Sequence, residues 1–586
     1  MTPQRLFEHF NEIAEAPDAV PRLRRFILDL AVRGKLVEQD QTDEPASELL
    51  KRVAAEKRRL AEAGKIRKQK PLPPIREDEV PFNVPKNWKL VRLGEVSTLI
   101  TKGSTPTSYG HSFVQHGIKF VKVEAIKAGL LLPENITSHI NSETHEFLKR
   151  SQLKSGDFLF SIAGSIGTCA VVTEQILPAN TNQALAIIRG ANLAFSLGYL
   201  SYSSSSDLLA FTVAKARGGA MNNISLEDVS NFILPLPPIA EQHRIVAKVD
   251  ELMALCDGLE AAQAKREKRR DRLVAATLHG LNNGGDSSEP GDHPIFEESA
   301  RFYFNHLPQL TTRPEHIQQL RQTILNLAVR GQLVPQDPND EPASELFKRI
   351  QEKKARMLKE GKIRKQQPLP SLVPDEIPFE LPKRWQWLRL GEIGFTQTGT
   401  TPSSNNPEYF GDYIPFVKPA DLTGNIINYS GDGISKEGIE HSRLIPKHSA
   451  LMVCIGSSIG KVNITDRDVC CNQQINSVTP YLEHLTTFTF FALKAAYFQK
   501  LILANAGMGT LPIISKGKWE ILPIPLPPLA EQHRIVAKVN ELMALCDELE
   551  ARITATATNR RQLLEATLVE ALSGHCELQQ EQSHAS

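Results

Sequence analysis

No run of about 20 apolar residues occurs, so the sequence predicts no membrane-spanning helix. The first residues, Met1-Thr2-Pro3-Gln4-Arg5, lack the apolar core of a signal peptide. Cysteine is scarce, seven in 586 residues, an odd number without repeated spacing. That argues for reduced thiols, and the expected compartment is the cytoplasm. Cys470 and Cys471 are adjacent, with no second pair to complete a zinc site. Neither charge sign dominates: 68 Lys and Arg stand against 67 Asp and Glu. Such a balance alone neither favours nor excludes a nucleic-acid partner. Catalytic signatures are missing too. The chain has no Gly-x-x-x-x-Gly-Lys-Ser/Thr loop, no Gly-x-Gly-x-x-Gly opening a helix and no Asn-Pro-Pro-aromatic tetrapeptide. A P-loop ATPase is excluded, and neither a catalytic set, a metal site nor a bound cofactor is expected on this chain.

What the chain does have, it has twice. Ala240 to Asp257 returns at Ala530 to Asp547 with one change, Asp250 to Asn540. Leu30 to Gly34 returns as Leu327 to Gly331, Glu44 to Leu49 as Glu341 to Leu346, and Gly64 to Gln69 as Gly361 to Gln366. A unit of nearly half the chain indicates a duplicated protein of two to four domains, not a solenoid. The offset between copies falls along the unit. Leu30 matches Leu327, Phe120 matches Phe416, Ser165 matches Ser458 and Asn182 matches Asn472. Length changes are therefore confined to the middle of each copy, as in a repeated scaffold holding two separately specialised heads.

Helical periodicity runs through residues 20 to 70, with Leu23, Phe26, Ile27 and Leu30 on one face and Gly34 as a stop. From about Val80 the pattern becomes short strands, at Val91–Ile100, Ile118–Val123, Phe158–Ile162 and Ala184–Ile188, with a helix expected over Leu197–Ala216. The second copy repeats this at Phe395, Ile414–Val417, Ala450–Ile455 and Lys461–Ile464, followed by a helical run Phe488–Ala504. Each head reads as α+β. After Pro235-Leu236-Pro237-Pro238 and Pro525-Leu526-Pro527-Pro528 come long helices. Ile245, Val249, Leu252, Cys256 and Leu259, and again Ile535, Val539, Leu542, Cys546 and Leu549, recur at four and three residues. That is an a/d seam, and two near-identical seams predict helix pairing with each other; packing on a globular core is the alternative. The expected divisions are 1–79 helical, 80–238 head, 239–282 long helix, 283–300 linker, 301–376 helical, 377–528 head, 529–574 long helix and 575–586 a disordered tail.

Local charge and loops carry the functional signal. Lys65 to Lys70 and Lys362 to Lys365 are matched basic clusters, and Lys265 to Arg272 is a third; phosphate contact and a solvated face are both consistent with them. Gly456-Ser457-Ser458-Ile459-Gly460 has the letters of a nucleophile elbow, but a strand and not a helix is predicted next, so a tight hairpin turn is expected. His243 and His533 are the only histidines repeated by position, and a structural role is the expectation. Lys102 to Pro106 parallels Thr398 to Pro402, and Arg217 to Asn222 parallels Ala506 to Leu511. Glycines beside hydroxyls suit close backbone approach to phosphate, while Arg, Asn and Met suit base edges. The candidate DNA-binding residues are Lys102, Ser104, Thr105, Lys122, Ser165, Arg217, Gly219 and Asn222 in the first head. In the second they are Thr398, Thr400, Thr401, Lys418, Ser458, Met508 and Thr510. Turns without function carry similar letters.

At these residues the chain resembles the specificity (S) subunits of type I restriction-modification enzymes. The resemblance is carried by the twin Pro-Leu-Pro-Pro-x-Ala-Glu-Gln-His-Arg-Ile-Val-Ala-Lys-Val segments, the twin Arg-Leu-Gly-Glu segments at Arg92 and Arg389, the Ser-Ile-Gly turns and the Asn-Gln strands at Asn182 and Asn472. It spans essentially the whole chain, in the long form with a helical region before each head. It implies an internally duplicated α+β fold with two target recognition domains, separated by two long helices that form an antiparallel coiled coil with a pseudo-two-fold axis. It implies double-stranded DNA as ligand, each head reading half of a bipartite, asymmetric site. The implied partners are two methyltransferase (M) subunits that use S-adenosylmethionine on adenine N6, and two motor-nuclease (R) subunits that use ATP and magnesium. A duplicated coiled-coil scaffold whose heads bind protein is the alternative from another class, and an enzyme in its own right a third.

Overall fold

The computed structural model describes residues 15–66, 71–76, 79–80, 82–127, 129–204, 223–283, 294–365, 367–424, 426–507 and 511–573. The expected tail, most of the expected linker and residues 67–70 of the first basic cluster lie outside these. The chain forms two compact units, 1–265 with 557–586, and 266–556.

In the first unit, α1 (Ala19–Val32) and α2 (Ala46–Glu62) precede a head. Its strands are β1 (Lys89–Arg92), β2 (Leu99–Lys102), β3 (Ile118–Val121), β4 (Ser138–Ile140), β5 (Phe158–Ser161), β6 (Cys169–Val171), β7 (Ala179–Thr181), β8 (Leu185–Arg189) and β9 (Ile233–Leu236). The long helix α3 (Ile239–Asn283) follows. The second unit repeats the plan with α4 (Pro314–Val329) and α5 (Ala343–Lys359). Its strands are β10 (Gln386–Arg389), β11 (Gly394–Thr398), β12 (Phe410–Val417), β13 (Gly433–Ile434), β14 (Ala450–Val453), β15 (Val462–Ile464), β16 (Cys470–Cys471), β17 (Ile475–Pro480) and β18 (Pro523–Leu526). The last element is α6 (Leu529–Ser573).

The two heads share the plan of their main sheets, and the first adds a short hairpin, Ile126–Lys127 with Leu130–Leu131. A four-stranded sheet runs β2-β8-β5-β6 in the first and β11-β17-β14-β15 in the second. A three-stranded sheet runs β4-β3-β7 and β13-β12-β16. The four-stranded sheet is buried on both faces. Phe158, Phe160, Ala186 and Ile188 join a core with α1, α2 and the start of α3, whereas Leu159, Leu185 and Ile187 face Val121 and Ala179 of the smaller sheet. This alternation is the period of two expected of a strand.

β1 pairs with β9, and β10 with β18, so the Arg-Leu-Gly-Glu and Pro-Leu-Pro-Pro segments close each head on itself. The expected single strand Val91–Ile100 is broken by a helical turn, Leu93–Val96. Glu95 causes the break by accepting the backbone N–H of Arg92 at 3.0 Å. Gly94 lets the neighbouring chain approach: a Cβ there would lie 2.1 Å from Ser230 Oγ. Arg92 is buried and donates to the carbonyls of Pro73 (2.7 Å) and Asn231 (3.0 Å) while pairing with Glu79 at 3.0 Å. Arg389 does the same with Pro370, Ile521 and Glu376. The motif is thus a structural clamp.

The seams on the long helices are buried in the core of each unit, as the second of the two readings has it. Ile245, Val249 and Cys256 are buried in one core with Val20, Ile27 and Ala31 of α1, and Leu252 packs against it. Leu259 remains 39% exposed. In the second unit Ile535, Val539 and Cys546 share a core with Ile317, Leu320 and Ile324 of α4, with Leu542 and Leu549 against it. Each apolar stripe is therefore covered within its own unit by the amphipathic helix that precedes the head. The physical reason is that α1 and α4 carry apolar stripes of their own, and burying both together removes the most apolar surface from water. Arg24 fixes the register by pairing with Asp257 (2.6 Å) and Glu260 (2.7 Å), and Arg321 does so with Asp547 and Glu550. Within the first unit, residues 557–573 of α6 run along the other side of α1, where Arg561 meets Asp18 and Arg22 meets Glu565. There the start of α3 and the end of α6 are antiparallel with α1 between them.

The Ala-Glu-Gln-His-Arg segment is also structural. Glu241 is buried and accepts from Trp88 Nε1 (2.9 Å) and Gln39 Nε2 (2.5 Å), and Arg244 pairs with Asp43 at 2.6 Å. Glu531 accepts from Trp385 and Gln336 at the same distances, and Arg534 pairs with Asp340. His243 and His533 sit exposed on these helices. The end of the expected linker is helical, Pro294–Asn305, because Tyr303 is fully buried in the second unit's helical core.

Candidate nucleic-acid interface

Sheet register carries the predicted loops to one end of each head. Ala186 pairs with Lys102 at the end of β2, and Leu185 with Ser161 at the end of β5. Segments 103–106, 182–184 and 162–168 therefore leave the sheet side by side. β3 and β7 run parallel with Val121 opposite Thr181, which sets Lys122 beside Asn182. In the second head Thr398 pairs with Asn476, Val453 with Ile475 and Val417 with Cys471. Segments 399–402, 472–474 and 454–461 and Lys418 gather in the same way.

The Asn-Gln pairs at Asn182 and Asn472, expected in strands, lie in the turns between strands, β7 to β8 and β16 to β17. The Gly-hydroxyl loops and these pairs, far apart in sequence, lock together. Ser104 N–H donates to Thr181 O at 3.0 Å, and Thr105 Oγ1 donates to Gln183 Oε1. Thr401 Oγ1 donates to Gln473 Oε1 at 2.7 Å, and Thr398 Oγ1 to Asn476 Oδ1 at 2.7 Å. Glycine is required at the crossing. A Cβ on Gly103 would lie 2.1 Å from Thr181 O and 2.2 Å from Asn182 O, and one on Gly399 would lie 2.3 Å from both Asn472 O and Cys471 O. Thr400 accepts at its carbonyl from Ser442 Oγ, 2.9 Å away.

Ser165 and Ser458 lie in turns that join antiparallel strands, β5 to β6 and β14 to β15. The expected hairpin turn is present, and the second turn does not lead into a helix. Lys122 Nζ stands 4.7 Å over the Phe113 ring, whereas Lys418 pairs with Asp432. Arg217, Gly219, Asn222, Met508 and Thr510 lie outside the described residues. The chain following them returns to the same end: Ile224 N–H donates to Ile162 O (2.8 Å) and Ile514 N–H to Cys454 O (3.0 Å). Cys454 lies behind these loops, and burial pushes its thiol up to about 12, so it is packing and not a nucleophile.

The structure adds residues that sequence reasoning passed over. In the first head Tyr109 and Phe147 are 56% and 57% exposed, with ring centroids 5.7 Å apart. In the second, Tyr409 and His441 stack at 4.2 Å, and Arg443 NH1 donates to Thr398 O at 2.7 Å. The available signal was that Phe147, His441 and Arg443 fall where otherwise matched heads differ.

The chain matches the family described as the type I restriction modification DNA specificity domain over residues 85–267 and again over 382–559. It is 32% identical to the EcoAI specificity subunit of Escherichia coli, covering 93% of each chain. It is 31% identical to the EcoEI specificity subunit of the same organism, covering 94% of each. A chain in a solved structure of a type I R-M system aligns with 84% of this chain and 99% of its own at 20% identity and a TM-score of 0.47. By the doubled family match and the full-length relatives, this chain belongs to the DNA specificity subunits of type I restriction-modification enzymes.

Proposed function

We propose that each head reads one half of a bipartite, asymmetric DNA site with the loop end of its four-stranded sheet, and that this chain supplies recognition while other subunits supply catalysis. The observation that carries the reading is the repeated frame. Both heads present the same crossing of a Gly-hydroxyl loop over an Asn-Gln pair, yet surround it with different side chains. A fixed backbone frame suits positioning on the duplex, and differing side chains suit different base edges.

In this reading α3 and α6, each a 45-residue helix, set the spacer between half-sites; such a helix is about 65 Å long. They also dock two identical methyltransferase subunits. Leu255 and Leu545, equivalent positions in the twin segments, are 58% and 49% exposed, as two copies of one docking surface would be. The methyltransferase subunits would bind S-adenosylmethionine and flip and methylate adenine N6. Motor-nuclease subunits would bring ATP and magnesium.

The test is co-expression with a methyltransferase subunit of its own system in a host without adenine methylation, followed by sequencing of modified bases. N6-methyladenine at one split motif with a fixed spacer is expected. A folded, co-purifying complex that methylates no motif and shows no salt-dependent DNA binding would overturn the proposal.

A further inference from the structure

We infer that base discrimination resides in one paired element beside the shared loops: the helix Ser142–Phe147 in the first head, and the turn Gly438–His441 running to Arg443 in the second. The inference rests on the proposal that the two heads read different half-sites. Residues that are the same in both heads cannot make two half-sites differ. That removes the Thr-Pro loops, the Asn-Gln pairs and the Ser-Ile-Gly turns from discrimination and leaves them the frame.

Both elements occupy the same place. Each follows the antiparallel edge strand of the three-stranded sheet, β4 or β13, and packs against the aromatic residue that ends the turn after the Gly-hydroxyl loop, Tyr109 or Tyr409. Each is also tied to the frame. In the first head Asn180, next to Thr181, bonds the end of the helix through Leu148 O (3.1 Å) and Ser151 Oγ (3.0 Å), and His145 contacts its amide oxygen. Thr144 Oγ1 and His111 Nδ1 are 3.0 Å apart, and the His111 ring lies 4.8 Å from Phe147. In the second head Ser442 Oγ donates to Thr400 O and Arg443 to Thr398 O, so the turn is bonded to the loop itself.

The chemistry presented differs. The first head offers the exposed Phe147 ring, apolar contact surface of the kind that reads a thymine methyl group. The second offers an exposed guanidinium that spends one N–H on Thr398 O and is aimed by that bond, and a fork of this kind reads guanine O6 and N7. The first element therefore takes a T·A pair and the second a G·C pair.

The experiment maps modified bases in the same co-expression system with the full chain carrying Phe147→Ala or Arg443→Ala. Phe147→Ala is expected to relax one position of one half-site by about tenfold or more. Arg443→Ala should do the same in the other half-site. In each case the untouched half-site stays fully read and reports that the protein is folded. Should either variant abolish methylation, Arg443→Lys and Phe147→Leu keep charge or bulk, and relaxation confined to one half-site is expected of them too. A wild-type chain that yields no split motif would sink the proposed function. A wild-type split motif left unchanged at every position by all the variants would sink this inference alone.

Discussion

Gly103→Ala tests the loop crossing most directly. The new Cβ would lie 2.1 Å from Thr181 O, against the 3.0 Å floor of real Cβ contacts, so loop and strand must part by about 0.9 Å. The obstacle is backbone on both sides, so no rotamer change relieves it. A shift of that size stretches a hydrogen bond of about 2.9 Å to about 3.8 Å, beyond useful range. Contacts to bases or phosphates from either segment are then lost, and each good base contact is worth about 1–3 kcal/mol. Methylation at limiting complex should fall about 10- to 100-fold at sites that depend on the first head. Gly399→Ala, at 2.3 Å, should act equally on the other half-site. The assay is the rate of methyl transfer to duplexes with one half-site matched and the other varied, with far-ultraviolet circular dichroism confirming an intact fold. A Gly103→Ala complex that methylates the same motif at the wild-type rate would refute the placement of the interface at this end of the sheet.

Three further outcomes follow from the same geometry. Burial, partly offset by the bonds from Trp88 and Gln39, raises the Glu241 carboxyl above its ordinary value, so the folded state holds this proton more tightly than the unfolded chain. The stability this group adds is full below the ordinary carboxyl range and fades as pH rises through the raised value. Glu241→Gln removes that titration, so in urea unfolding the variant should gain on the wild type as pH rises from the ordinary carboxyl range through the raised value; a pH-independent gap would contradict the reading. Inserting four residues into both α3 after Ala262 and α6 after Arg552 adds about 6 Å of helix and should lengthen the methylated motif's spacer by one or two base pairs. An unchanged spacer would remove α3 and α6 from that role. Leu255→Asp and Leu545→Asp change exposed positions, and each should weaken co-purification of the methyltransferase subunit while leaving the melting temperature within about 2 °C.

Much of the fold was legible because repetition substitutes for structure. The twin segments marked the scaffold, and short apolar runs bounded by Gly, Ser, Thr and Asn marked β5 and β8. Short elements escaped: β6 and β7, at three residues each, are too brief for a periodic signal. The seams show a different limit. Four-three spacing says that a stripe is buried, not what buries it, and α1 and α4 supply the cover. At the candidate interface, residue type and loop position found the frame, since glycine beside hydroxyls is conspicuous. Tyr109, Phe147 and Arg443 are ordinary letters in sequence, and become notable only once the sheet register brings them beside that frame.

Where the two copies differ in length now has a physical meaning. The offset is 297 at Arg92 and Arg389, 296 at Phe120 and Phe416, 293 at Ser165 and Ser458, and 290 at Asn182 and Asn472. The steps fall between strands that the register holds in common, never inside β2, β5 or β8 or their counterparts. Insertion inside a paired strand would slip its register by a residue and turn its buried side chains outward. Insertion between strands leaves the four-stranded sheet untouched and reshapes only the connections around it. The second step, between Phe120 and Ser165, contains Ser142–Phe147 and its counterpart. Divergence in length is confined to the connections between strands, which can change without unmaking the core.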